Sequence, residues 1–125
     1  MSDLFRDNVT AQELFDAVWT HFVVKMSPPS RLEDGRCRYR GPDGSACAVG
    51  ILVSDEECAT WDARKDASIG DLMRAGLVPK RLAPHRKLLV GLQAEHDGWY
   101  DDTTRRYRAE ALARVAHEFG LTVPA

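Results

Sequence analysis

Phe15, Val18, Trp19, Phe22 and Val23 recur at intervals of three and four residues, the period that lines up side chains on one face of an α-helix. Just upstream, Thr10-Ala11-Gln12-Glu13 has the form of a capping box, in which the Thr hydroxyl and the Glu carboxylate satisfy amides that a first turn leaves without partners. Ser27-Pro28-Pro29-Ser30 predicts the end of this helix, because proline has no amide donor and biases the residue before it away from helix. The pattern returns in the C-terminal half. Leu88, Leu89, Leu92 and His96 share one side of a helix that Pro84 opens and Gly98 closes. Ala111, Leu112, Val115 and Phe119 line another, which starts at Asp102 or Thr103 and stops at Gly120, with Leu121 as the apolar partner of the cap. Two shorter helices are expected between them. Ser54-Asp55-Glu56-Glu57 is a second capping box opening a helix through Trp61, and Ser68-Ile69-Gly70-Asp71 caps another that points Leu72 and Met73 inward and ends at Gly76.

The stretch from Arg36 to Gly50 departs from this helical period. Gly41-Pro42-Asp43-Gly44 fits a type I turn, with Pro presetting φ and Gly free to take the positive φ that hairpin closure often needs. If Pro42 and Asp43 are central, Arg38 stands opposite Cys47 and Cys37 opposite Ala48, and opposed side chains share a face. Cys47 then lies with Arg36, Arg38 and Arg40, while Cys37 and Tyr39 face the other way. A slip of one residue exchanges these roles. The expected fold is α+β and predominantly α-helical: three main helices plus short helices packed around a small β-hairpin, in a single domain over residues 1–125 with 1–9 as a flexible N-terminus.

Composition narrows the class. The chain has 125 residues, 44% hydrophobic and 29% charged, enough to bury a core and too apolar for a disordered chain. Its formal net charge of -2 removes a whole-molecule electrostatic argument for nucleic acid or an anionic membrane. No apolar run suits a signal peptide or a membrane span, so a cytoplasmic protein is expected. In that compartment Cys37, Cys47 and Cys58 are expected as free thiols.

Candidate chemistry starts with metal, since the chain has 3 Cys and 4 His. Cys37 and Cys47 lack the two-to-four-residue ligand spacing of zinc sites, and His85 and His96 on one helix would be roughly 16 Å apart at about 1.5 Å per residue. Neither metal nor cofactor is expected. The sharpest enzymatic reading makes Cys47 a nucleophile, exposed among the small residues Ser45, Ala46 and Ala48 and lowered in pKa by Arg38. His96 would be its base and Asp97 or Asp101 the group that orients the base. Set against this, cysteine is among the most commonly buried residue types.

Charge is unevenly spread. From Arg74 to Ala94 the chain carries Arg74, Lys80, Arg81, Arg86 and Lys87 with no acid, whereas Ser54 to Asp71 holds six acids. Lys80, Arg81, Arg86 and Lys87 form a basic segment that would suit phosphate, but without an aromatic platform or nucleic-acid motif a solvated basic face is the favoured reading. The alternating arginines 36, 38 and 40 either meet an anion or protein partner or pair with the acids after Ser54.

Tyr39-Arg40-Gly41, Asp43-Gly44, Cys47-Ala48-Val49-Gly50 and Ser54-Asp55, with Leu92-Gln93-Ala94-Glu95-His96-Asp97 further on, resemble a recurrent family of small proteins from tailed phages, prophages and bacteria. The resemblance implies a mobile-element context and a host or phage protein as partner, and it transfers no activity. The expectation is therefore a small non-enzymatic interaction or regulatory protein. Its contact surface is Arg36 to Gly50, with Arg36, Arg38, Tyr39 and Arg40 as binding residues. The alternatives are a hydrolase or transferase using Cys47, and nucleic-acid or nucleotide binding through Lys80 to Lys87.

Overall fold

The computed structural model describes residues 4–27, 47–62, 69–99 and 102–124. Five α-helices lie within them: α1 Ala11–Trp19, α2 Asp55–Asp62, α3 Ile69–Arg74, α4 Arg86–Asp97 and α5 Arg105–Glu118. Both predicted capping boxes operate, while the Ser68 cap expected for α3 falls outside the described residues. Thr10 Oγ1 accepts from the Glu13 amide at 3.1 Å while Glu13 Oε1 accepts from the Thr10 amide at 3.0 Å. The Ser54 hydroxyl and Glu57 carboxylate make the same exchange at 3.2 and 2.8 Å. α5 is capped one or two residues later than expected, by the Thr104 hydroxyl on the Tyr107 amide. Its other end is a Schellman motif: Gly120 takes φ 67°, and the Leu121 and Gly120 amides return to the Ala116 and His117 carbonyls. Gly76, at φ 72°, ends α3 in the same way.

α1 does not stop at Trp19. It widens into a π turn, Thr20–Val24, in which the Lys25 amide reaches the Thr20 carbonyl, and Met26 then takes φ 52°, a left-handed conformation that costs a side-chain-bearing residue energy. The chain thus leaves the helix before Pro28. α5 supplies donors for the carbonyls at the end of this helix. Arg105 Nε donates to the Val23 carbonyl at 2.9 Å, and Arg108 Nη1 donates to the carbonyls of Phe22 and Ser27 at 3.1 and 2.6 Å.

α1 packs on a 3-10 turn, Gly50–Leu52, and on α5; α4 packs on α3 and α5. The core gathers Leu14, Phe15, Val18 and Phe22 with Leu52, Trp61, Leu72, Leu89, Leu92, Trp99 and Leu112. Trp61 keeps its indole N–H satisfied on the Leu77 carbonyl at 3.1 Å.

The α+β expectation is corrected. No strand occurs among the described residues, and the second arm of the expected hairpin, Cys47 to Gly50, is a turn entering the 3-10 helix. The Ile51 amide bonds back to the Cys47 carbonyl and the Leu52 amide to the Val49 carbonyl, so local turn bonds take the backbone groups a ladder would use. The first arm, the Gly41-Pro42-Asp43-Gly44 turn and the pairing of Arg38 with Cys47 fall outside the described residues. No helix among the described residues is long and apolar enough to cross a membrane.

Candidate functional site

The three catalytic candidates, Cys47, His96 and Asp97, gather where the 47–50 turn meets the C-terminal end of α4. The Val49 amide donates to Gln93 Oε1 at 3.2 Å, and Gln93 Nε2 donates to Asp97 Oδ1 at 2.8 Å. The same carboxylate oxygen lies 3.2 Å from His96 Nδ1, and because a carboxylate only accepts, Nδ1 is the donor in this contact. Helical spacing makes this possible: Gln93 and Asp97 are four residues apart on the outer side of α4, while His96 turns inward with Leu89 and Leu92.

His96 is fully buried. Its ring lies 5.5 Å from Phe22 and 6.1 Å from Trp99, which pack edge to face on each other at 5.3 Å. Arg108, also buried, places its guanidinium carbon 5.5 Å from the Trp99 ring and 6.0 Å from that of Phe22. The imidazole therefore meets a carboxylate on one side and aromatic rings on another.

Cys47 is 1% exposed, against the expectation that its small neighbours leave the sulfur open. The Gly50 amide donates to the sulfur at 3.3 Å. Burial pushes the thiol up, backbone amides only partly oppose this, and the nearby Asp97 charge adds to the rise. The sulfur is thus held as a protonated core thiol, and Cys58 is likewise a buried thiol. His96 directs its Nδ1 to Asp97, so the expected order of nucleophile, base and orienter is present only in its last pair.

The basic segment divides. Arg81 is 8% exposed and holds Glu57 with two parallel bonds, Nη1 to Oε2 at 3.0 Å and Nη2 to Oε1 at 2.9 Å. It also donates to the Leu52 and Leu4 carbonyls at 3.1 and 3.0 Å, so it joins α2, the 3-10 turn and the N-terminal segment. The pairing lowers the Glu57 pKa through the Arg81 hydrogen bonds. Lys80, Arg86 and Lys87 remain exposed. His85 lies just before α4 with Nε2 3.0 Å from the Val9 carbonyl. Arg36, Arg38, Tyr39, Arg40 and Asp101 lie outside the described residues. Among the described residues no group of three or more His, Cys, Asp or Glu is placed to hold a metal ion.

Two residues that organise this region were not anticipated. Arg108 occupies an i, i+3, i+4, i+7 position with Ala111, Leu112 and Val115, and a cation within an apolar stripe was the available signal. Gln93 was named only within the Leu92 to Asp97 stretch that carries the resemblance, and its four-residue spacing from Asp97 was the signal for its role. Comparison of the chain with protein-family models, with curated proteins and with solved structures finds no match.

Proposed function

We propose that this chain is a small non-enzymatic interaction or regulatory protein of the cytoplasm, whose contact residues are Arg36, Arg38, Tyr39 and Arg40. The observation that carries this reading is the burial of Cys47. A thiol kept protonated in the core is a poor nucleophile, so the residue best suited to catalysis serves packing instead. The 47–50 turn, buried and tied to α4 through Gln93, is a fixed anchor that follows the arginine-bearing stretch in sequence. Arginine suits a protein contact because its planar fork binds carboxylates in pairs of bonds and stacks on aromatic rings. The resemblance to phage and prophage proteins makes a host or phage protein the partner class.

The test has two arms. Immobilised wild type and an R36Q/R38Q/R40Q variant, matched for fold by far-UV circular dichroism, are compared for proteins captured from bacterial lysate. The expected result is a partner retained by the wild type and lost by the variant. In parallel, Cys47 should resist iodoacetamide in the folded protein and react once urea unfolds it. Rapid alkylation of folded Cys47 near neutral pH, or identical capture by both proteins, would overturn the proposal.

A further inference from the structure

In an α-helix each carbonyl accepts from the amide four residues on. Were α1 to run on as a regular helix, the Phe22 carbonyl would accept from Met26 and the Val23 carbonyl from Ser27. α5 holds both carbonyls instead: Arg108 Nη1 donates to that of Phe22 at 3.1 Å and Arg105 Nε to that of Val23 at 2.9 Å. The segment closes more widely, with the Lys25 amide on the Thr20 carbonyl at 2.9 Å and the Ser27 amide on the His21 carbonyl at 3.0 Å. Met26 is left at φ 52°, a conformation that glycine takes freely and other residues resist. Arg105 is exposed and stands in the first turn of α5, where a cation opposes the helix dipole. Its bond to α1 is therefore made against the preference of its own helix.

From this exchange of acceptors we infer that residues 20–27 form a two-state element. In the closed form, the one described above, the arginines of α5 occupy the Phe22 and Val23 carbonyls and Met26 is left-handed. In the extended form α1 continues as a regular helix, the amides of Met26 and Ser27 take those carbonyls, and Met26 returns to an unstrained conformation. Each form satisfies the same acceptors with a different set of donors, so the two arrangements are discrete. Pro28 confines the extension to this segment, because proline lacks an amide and disfavours helix at the residue before it. Removing the wide turn shifts the helical register after Val23, so a displacement at the start of α5 becomes a change of direction at Ser27. The inference is independent of the partner proposed for residues 36–40.

Exchange-saturation NMR on the full chain, which detects minor conformers, tests the inference through the Cα shift and backbone coupling of residue 26, since left- and right-handed conformations differ in both. Arg105→Ala removes one donor, and Met26→Ala places a strong helix former where the closed form needs positive φ. Each should move the ratio of forms about tenfold toward the extended one, and R105A/M26A about a hundredfold. Met26→Gly should move the ratio the other way and slow amide exchange at Lys25 and Ser27. Circular dichroism confirms that each variant is folded. A folded double variant in which residue 26 stays left-handed, with no second conformer, overturns the inference. So does an Arg105→Ala variant whose α4 and α5 amides exchange faster by as much as those of Lys25 and Ser27, because that pattern is general destabilisation.

Discussion

Arg108 shows how one side chain substitutes for several kinds of contact. It is 1% exposed, and burying a cation is costly unless hydrogen bonds and polarisable groups replace water. Here carbonyls of Phe22, Ser27 and Thr103 accept from it, while two aromatic rings lie in cation–π range. The carbonyls gain as much as the guanidinium does, because the end of a helix leaves its last acceptors without partners. Methionine at position 108 would keep most of the volume and strand those acceptors, each worth about 1–3 kcal/mol when buried. Arg108→Met should therefore lower the urea unfolding free energy by about 3 kcal/mol or more, with Arg108→Lys falling between it and wild type because lysine lacks the planar fork. A loss under about 1 kcal/mol would mean that water replaces the guanidinium at these carbonyls.

The helices divide into those whose ends are written locally and those whose ends are not. Ser54 and Glu57 close the first turn of α2 within four residues, where three acids also suit the positive end of the helix dipole, and Cys58 and Trp61 are its buried anchors. Ser54→Ala should cost about 1 kcal/mol in chemical denaturation, and an unchanged midpoint would show that tertiary packing alone fixes that end. Capping boxes and glycine stops are local chemistry, which explains why the starts of α1 and α2 and the ends of α3 and α5 were legible in the sequence. The π turn was not. Its bonds depend on Arg105 and Arg108, more than eighty residues downstream, and no local pattern encodes a partner that distant. The hairpin expectation failed for a related reason: glycine and proline suggested a strand pairing, but Cys47 to Gly50 form a turn and bury beside Gln93 rather than run straight. At the candidate site, Asp97 and His96 were legible as adjacent polar residues on α4, whereas the burial of Cys47 depends on elements from both halves of the chain.

At the level of the whole molecule, two arginine–carboxylate pairs, one local at the N-terminal end and one joining α2 to the segment before α4, give stability a pH dependence. Arg6 bonds Glu13 and, with the Thr10 amide, holds the Glu13 carboxyl down to about 2 from an ordinary 4.5. Arg81 likewise lowers Glu57. A carboxylate whose folded pKa lies below its unfolded value binds fewer protons when folded, so its contribution is complete above the unfolded value and is lost as pH falls through the folded one. Arg6 is more exposed than Arg81, at 35% against 8% of the side chain, and solvent screens the outer pair more strongly. The Glu57 bridge should dominate. The thermal midpoint is expected to be flat from neutrality to about pH 5 and then to fall as acid protonates both groups. Glu57→Gln should melt lower than wild type at neutral pH, and the gap should narrow as acid protonates Glu57 in the wild type. A gap that persists undiminished after Glu57 is protonated would place the cost of the substitution in packing around Arg81, not in the charge it binds.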